Sequence, residues 1–436
     1  MGDDMTTTCG LDFGTSNSAL AISNNGQVGM VDVDPKNSNT KYLKSVLYFY
    51  RDEEGESIHT GEEAVQEYVL NGSDGRYMQS IKSFLPDATF TETTINRKSF
   101  SIEELVSLIL KDLRAKGENG GNPGLDSVVM GRPVVFSEDP KKDRMAEERL
   151  RSAAQLAGFK NIEFQLEPIA AALSYEQTLE EGEEQLIFVG DFGGGTSDFT
   201  IIRLKGGNRN DYDRNEDILS LGGIYIGGNT FDSDLMWEKA APYLGKEVRV
   251  SLPMSTNLLG LSSTITSKLR LWNWIPQLKD PKFVRSVKEF HQFASFCDKR
   301  LIENLQTLVE HNLGLNLYRS VEKTKCTLSD HDCATLEFNE QGIVIREAVE
   351  KASFEEMIAA NVARIQGSIE DTLNRAGLTE ASIDKVFLTG GSSYIPMLRR
   401  VFREKFGQEK IKHADAFLSV AYGLGLSAGY MFGLNN

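Results

Sequence analysis

A chain of 436 residues with 40% hydrophobic and 25% charged residues is long enough for two ordinary cores and is not disordered by composition. Its net charge of −16, with no long basic stripe, argues against a protein that coats nucleic acid. No run approaches the ~18 apolar residues of a membrane span, so neither a nucleic-acid nor a membrane partner is expected, and the chain reads as a monomer. The opening MGDDMTTTCG lacks a basic stretch running into an apolar core, and a cytoplasmic location is the default expectation. Cys9, Cys297, Cys326 and Cys333 form no CxxC pair and read as reduced thiols. His331 beside Cys326 and Cys333 lacks a spaced fourth metal ligand.

In chain order, the segment LDFGTSNS (11–18) ends an apolar run in an acidic residue and then turns on glycine and hydroxyl residues. Strand-like runs follow at 20–23, 45–50 and 127–130, with a helix predicted over 102–113 behind the cap Ser101. GENGGNPG (117–124) reads as a loop, and 143–158 as an amphipathic helix closed by Gly158. From Gln185, LIFVGDFGGGTSDFTIIRL reads as strand, tight turn and strand. Residues 231–319 are mainly helical in pattern. A short buried strand at 386–389 feeds Gly390, Gly391 and Ser392, and a helix opens with Pro396 in its first turn.

The two glycine-rich turns share one plan. Backbone N–H groups freed by such a turn can converge on one anion, and glycine removes the side chain that would block it. Asp12 and Asp191 are each predicted at the C-terminal end of a strand, where open α/β sheets bind ligands, and carboxylates there suit Mg²⁺ directly or through its waters. Asp198 follows Asp191 by seven residues, close enough to approach the same phosphates. The helix after Gly390 offers a third anion contact. The competing reading is two unrelated hairpin turns with solvated aspartates.

The ordered series LDFGTSNS, KSFL, GRPVVF, LEPIAAALSYE, DFGGGTSDFT, IGGNTFD and LTGGSSYIP resembles the ATPase domain of the heat-shock 70 kDa (DnaK-type) chaperones over nearly the whole chain. That resemblance implies an α/β, actin-like ATPase fold, a duplicated ribonuclease H-like architecture with two lobes around a central nucleotide cleft. The lobes are expected at 1–185, with a subdomain insertion over 39–111, and at 186–436, with a helical subdomain over 226–319.

The resemblance further implies ATP/ADP and Mg²⁺ as cofactors. It places Asp12, Asp191 and Asp198 at the magnesium and phosphates, with Asp12 and Asp191 the metal residues, directly or through water. Thr15 and Thr196 match hydroxyls facing the γ-phosphate. Lys82 matches the lysine beside the γ-phosphate and attacking water, and Glu167 the catalytic-site glutamate. Lys82, Glu167, Asp191, Asp198 and Thr196 are therefore the catalytic candidates. The nucleotide candidates are Asp12, Gly14, Thr15, Ser16 and Asn17 in the first loop; Gly193, Gly194 and Gly195 in the second; then Gly227 and Gly228, and Gly390, Gly391, Ser392 and Tyr394. Pro133 matches a proline implicated in coupling nucleotide state to domain motion. Taken alone, Lys82 is an ordinary surface lysine and Glu167 a turn carboxylate.

On the base side, SVEKTKCTLS (320–329) resembles the family's adenosine-binding helix, with Glu322 and Lys325 on one face and Ser329 matching as well. Cys326 stands in place of an arginine that stacks on adenine, Tyr394 replaces a second arginine, and Phe417 replaces an aspartate. The two guanidinium planes are therefore missing from their family positions, and weaker or less base-selective binding is expected. From the short stretch after Gly391 the family's linker, peptide-binding sandwich and lid are expected to have no counterpart, and in this the chain resembles the short bacterial YegD-like branch.

Trp272 and Trp274 lie in a segment that looks longer than a standard member needs, and read either as a partner anchor or as lobe core. The leading expectation is an ATPase whose lobe closure is sensed by an unidentified protein partner or client. A nucleotide sensor without turnover and a sugar-kinase-type enzyme are the alternatives; the kinase would need an acceptor-side base that has no clear candidate. A filament-forming actin relative is a third, structural alternative.

Overall fold

A computed structural model describes residues 7–37, 39–72, 74–122, 124–137, 139–207, 216–251, 257–412 and 418–433, without the side chains of residues 272, 273 and 276. Packing divides the chain into two compact units. The first comprises residues 1–228, 364–394 and 398–436; the second comprises 229–363 with 395–397. No described helix is long and apolar enough to cross a membrane.

The first unit contains two sheets built on one topology. In one, strands Asn161–Leu166, Ser127–Arg132, Thr8–Phe13, Asn17–Asn24 and Gln27–Met30 lie side by side in that order. In the other the order is Ile411–Lys412, Lys385–Thr389, Glu184–Phe192, Ser197–Lys205 and Ile218–Ile224. Each has an antiparallel hairpin at its centre, a third antiparallel strand beyond it, and two parallel strands on the opposite side. Parallel neighbours need crossovers, and helices supply them. The repeated plan suggested by the two loops is therefore a repeated sheet.

Between strands Thr8–Phe13 and Ser127–Arg132 run further small sheets and the helix Ile102–Asn119. That helix begins as the sequence indicates: Ser101 Oγ accepts from Glu104 N at 3.2 Å while Glu104 Oε2 accepts from Ser101 N at 2.8 Å. It runs past the expected loop start, with Gly117 inside it, because the helix lies against Leu20 and Leu125. A Cβ on Gly117 would come within 2.7 Å of Leu20 Cδ2. The next helix, Pro140–Leu156, starts before the predicted residue 143, capped by Asp139 with Pro140 in its first turn. Gly158 follows it at φ +100°, as the C-terminal position suggested.

Helices Glu167–Glu176 and Leu418–Gly433 hold the two sheets to a shared core. Ala170, Ala172, Val420 and Leu424 pack with Val129 from one sheet and Ile187, Val189 and Ile202 from the other. The contact is close because its residues are small. A Cβ on Gly423 would fall 1.8 Å from the Ala170 carbonyl oxygen, and one on Gly10 would fall 2.1 Å from Gly425 N. The sequences PIAAALS and VAYGLGLSAG thus set how near each helix backbone comes to its neighbour.

The second unit carries helix Gly314–Asp330 against a hairpin of strands Cys333–Glu340 and Ile343–Glu350, whose residues alternate buried and exposed. Helices Pro281–Phe293 and Phe296–Glu310 form an αα-hairpin. The largely helical pattern read over 231–319 holds except at Arg249–Ser251 and Leu258–Gly260, which pair as a short ladder. Three-residue strands are too short to leave a period of two in the sequence.

Gly423→Ala should lower stability by about 2–4 kcal/mol or abolish folding, since its new methyl meets backbone rather than a movable side chain. Gly29→Ala, with open space at its Cβ, should fall within about 0.5 kcal/mol of the parent. Equal melting curves for the two variants would refute this account of the helix contact.

Candidate functional site

In each sheet of the first unit, an aspartate is the next-to-last residue of the strand that leads into a central hairpin. Asp12 lies opposite Ala19, and Asp191 lies opposite Asp198. The loops match at both ends, where Phe13 and Phe192, Gly14 and Gly193, and Ser18 and Ser197 follow the same spacing, and differ at the three residues between. Only the second hairpin adds an acid at the return position. Two like charges directly opposite on paired strands oppose the sheet, so their placement marks a site rather than a stabilising pair.

The second loop is held from several sides. Gly193 N donates to Thr196 O at 3.0 Å, Gly228 N donates to Gly193 O at 3.0 Å, and Ser392 Oγ donates to the same carbonyl at 3.3 Å. Three segments predicted separately, 193–196, 227–228 and 390–392, therefore meet. A Cβ on Gly227 would lie 2.7 Å from Gly194 O. Gly390 adopts φ +79°, and a Cβ there would meet Phe192 O at 2.2 Å and Asp191 Oδ1 at 2.9 Å, so only glycine serves. The first loop joins this group: the Cβ position of Gly195 is 3.8 Å from Thr15 Oγ1. Ser16 lies in that loop and accepts Ser45 N at its carbonyl, and Asn17 opens the return strand.

Lys82 occupies a single 3₁₀ turn, Ile81–Phe84, entered through Ser80 in the left-handed region at φ +54°. That conformation is costly for a serine and is held by its surroundings. Lys82 Nζ donates to Glu167 Oε1 at 2.6 Å, and both side chains are buried. Glu167 sits in the first turn of its helix, followed by Pro168. Sequence alone leaves both residues on the surface, whereas the fold encloses them.

The carboxylates are out of balance with the cations. Burial first, then the negative charge of Glu167, raises Asp12 well above the usual carboxylate range; Lys82 offsets part of this and Asp191 adds to it. The same two causes lift Asp191 to about 6, against the hydrogen bond from Thr389 and the charge of Lys82. Asp198 is pushed up to about 8 by burial and Glu167, despite bonds from Thr196 and Val135 N. Burial alone would depress Lys82, but the charges of Glu167, Asp12 and Asp191 raise it instead. One lysine faces three acids, and Asp198 lies beyond them with no share of its charge.

Three contacts escaped the sequence reading. Thr389 Oγ1, at the end of the parallel strand, donates to Asp191 Oδ1 at 2.6 Å. Val134 N and Val135 N, just after Pro133, donate to Asp198 Oδ1 at 3.0 and 3.4 Å. Arg149 gathers the turn that follows Lys82, donating to the carbonyls of Leu85, Asp87 and Phe90 at 2.9, 2.9 and 3.0 Å. The last could not have been found in sequence, because an arginine on an amphipathic helix reads as solvated.

Among the described residues no three Asp, Glu, His or Cys groups converge as a metal cage. The oxygen-only donor set and the excess negative charge of Asp12, Asp191 and Asp198 would suit a hard divalent cation such as Mg²⁺, and the glycine cradle would leave room for an anion beside it.

The remaining predicted residues make contacts of their own. In the second unit Lys325 Nζ donates to buried Asp232 Oδ2 at 2.7 Å, and burial lifts Asp232 to about 6 against the lysine's charge. Glu322 and Cys326 are exposed on the same helix, and Ser329 is half-buried. Gly391 opens a short turn ending at exposed Tyr394. A guanidinium does stand at that loop, supplied from the following helix. Arg399 Cζ lies 4.7 Å from the Tyr394 ring centroid, and its Nε donates to Ser393 O at 3.2 Å. Trp274 is partly exposed, while Phe417 and the side chain of Trp272 lie outside the described residues.

The raised acids fix a pH dependence for the ligand-free protein. A carboxyl whose folded pKa exceeds its unfolded value binds more protons when folded, so stability falls as pH rises between the two. For Asp198 that window runs from the ordinary 3.8 to about 8, and for Asp191 from 3.8 to about 6. Melting temperature should fall across it, and Asp198→Asn should flatten the upper part. A parent melting temperature that rises from about pH 5 to about pH 8 would overturn this charge assignment.

Comparison with known proteins gives the same direction. The family model "Hsp70 protein" matches residues 77–250 and 296–435, leaving 251–295 unmatched between them. The chain is 25% identical over 427 residues to the chaperone protein DnaK of Thermotoga neapolitana, covering 97% of this chain and 59% of that one. The DnaK proteins of Thermotoga petrophila and Thermotoga maritima match to the same extent. This chain thus spans about three-fifths of the length of these curated relatives. The duplicated mixed sheets and glycine-lined hairpins, together with a match over most of the chain, place it in the Hsp70 family, with the actin-like, ribonuclease H-like duplicated ATPase fold.

Proposed function

We propose that this protein is a chaperone-like ATPase that binds ATP with Mg²⁺, hydrolyses it to ADP and phosphate, and uses the change to control a protein partner. The observation that carries this reading is the set of carboxylates Glu167, Asp12 and Asp191 around Lys82, with buried Asp198 opposite Asp191, next to loops whose glycines leave room for phosphates. Bound Mg²⁺ would supply charge to offset the phosphates and hold their oxygens in place.

The chain's own groups then have defined tasks. Thr15, Thr196 and the backbone N–H groups of the two loops hold phosphate oxygens, with Ser392 steadying the second loop. Lys82 stands at the reacting phosphate and lowers its charge. Glu167, bonded to Lys82, orients the attacking water and accepts its proton. Asp12 and Asp191 would hold the ion, and Asp198 would link the phosphate end to the Pro133 segment through Val134 N and Val135 N. In this reading residues 1–185 and 186–436 act as two lobes, and nucleotide state sets their closure.

A second reading, a nucleotide-sensing scaffold without turnover, draws on Cys326 and Tyr394, which replace stacking arginines. By calorimetric titration, ATP should bind at most about tenfold tighter than GTP, and Cys326→Arg should widen that ratio. Tight, adenine-only binding by the parent would remove the motive for the second reading.

The deciding measurement is phosphate release from γ-labelled ATP and Mg²⁺ in one turnover, with enzyme in excess, beside Lys82→Ala. Removing Lys82 leaves Glu167 buried without its partner, so the variant's fold must be checked by melting. Release by the parent that falls by about a hundredfold or more in a folded variant supports hydrolysis. ATP bound without release from the parent defeats it and leaves the scaffold.

A further inference from the structure

The αα-hairpin of the second unit carries a charge opposite to that of the chain. Between Lys268 and Arg300 stand eight Lys or Arg residues against three Asp or Glu, in a protein of net charge −16. Among the described residues Lys279, Lys282, Arg285, Lys288, Lys299 and Arg300 join none of the ion pairs found in the structure. Lys282, Arg285 and Lys288 are exposed and follow one another at three-residue spacing along the outer side of helix Pro281–Phe293. Of that helix only Val287 is fully buried, although its sequence is strongly amphipathic.

The hairpin turns at Ala294 and Ser295, and a phenylalanine stands on each side. Phe293 is exposed, and Phe296 has 92% of its surface open. Ser295 Oγ accepts Asp298 N at 3.3 Å and caps the next helix, so the turn is built and Phe296 is held outward at its start. A phenylalanine this exposed gains nothing from folding. The helix Pro281–Phe293 belongs to the stretch between the two parts matched by the family model.

We propose that this hairpin is a peripheral docking tip for an anionic lipid surface. Two aromatic side chains on a two-residue turn form a convex wedge that a bilayer interface can take up wherever it meets it. A protein partner would need a shaped pocket around each ring and far more contact area than one turn offers. The unpaired cations give the helix leading to the wedge a positive surface that would attract phosphate and carboxylate headgroups. The sequence-level expectation of no membrane partner rested on the lack of an apolar span, a criterion blind to a wedge of two residues.

The test is cosedimentation of the full chain with vesicles of phosphatidylcholine alone or with about 30% phosphatidylserine. Binding should require the anionic lipid and fade between about 0.1 and about 0.5 M salt. It should fall by about tenfold or more in Lys282→Glu/Arg285→Glu/Lys288→Glu and in Phe293→Ser/Phe296→Ser, with melting temperature unchanged. Should the serine variant unfold, the charge-reversed variant, altered only at exposed positions, decides alone. No pelleting, equal pelleting on neutral vesicles, or pelleting indifferent to the charge reversal would overturn the proposal. So would binding of polyglutamate or single-stranded RNA through these cations without vesicle binding, which would assign the tip to an acidic polymer.

Discussion

The structure depends on a charge imbalance that the fold has to contain. Lys82 and Glu167 neutralise each other at 2.6 Å, leaving buried Asp191 and Asp198, and half-buried Asp12, without a paired cation among the described residues. Burial and mutual repulsion hold these acids toward their protonated forms, at a cost in stability near neutral pH. Such an arrangement persists only where the surroundings over-determine it. Here the surroundings are strand ends, so the aspartates are positioned by the ladders of two sheets and cannot relax without unpairing them. A cation and its phosphates would offset the excess negative charge.

Containment depends on how closely the two sheets are held. The helices Glu167–Glu176 and Leu418–Gly433 join residues of both sheets in one core, and their approach is set by Gly423 against the Ala170 carbonyl. Glu167 begins the first of these helices, so the residue that pairs Lys82 is fixed by the contact that fixes the sheets. The partner lysine is placed differently, on a short turn after a left-handed serine, with Arg149 tying down the carbonyls beyond it. One side of the buried pair rests on the core and the other on a clamped loop.

The two hairpins were legible because their chemistry is local: an apolar run, an aspartate, glycines and a hydroxyl fall within eight residues. The sheet plan followed from them, and the family resemblance rested on the order of seven such motifs. What sequence could not show was depth. Lys82 and Glu167 look solvated one at a time and become a buried pair only when segments 85 residues apart meet. The N–H groups of Val134 and Val135 carry no pattern at all, since a backbone donor has no identity in the sequence, and the Thr389 hydroxyl meets Asp191 from a strand 198 residues away. Gly117 looked like the start of a loop because glycine there answers to Leu20 and Leu125, which are distant in the chain. Arg399 was missed as the cation at Tyr394 because it belongs to the next helix.

Asp198 connects the site to the rest of the first unit. Its Oδ1 accepts from Val134 N and Val135 N, so its charge is felt by the backbone just after Pro133, and Arg132 Nε donates to the Pro133 carbonyl at 3.1 Å. Arg132 in turn pairs with Asp143 at 2.9 Å and with Glu147, both on helix Pro140–Leu156. An ionised Asp198 strengthens the two backbone bonds and a protonated one weakens them. With its pKa near 8 in the ligand-free chain, the group is poised where a nearby positive charge would convert it. Under the proposed activity, loss of that charge as products leave would loosen the Val134–Val135 contact. The same helix carries Arg149, which holds the turn beyond Lys82, so a shift of the helix would reach both the lysine and the aspartate. Proline at 133 suits this position, because a residue without an N–H and with fixed φ lets the strand turn sharply into the two donors that matter.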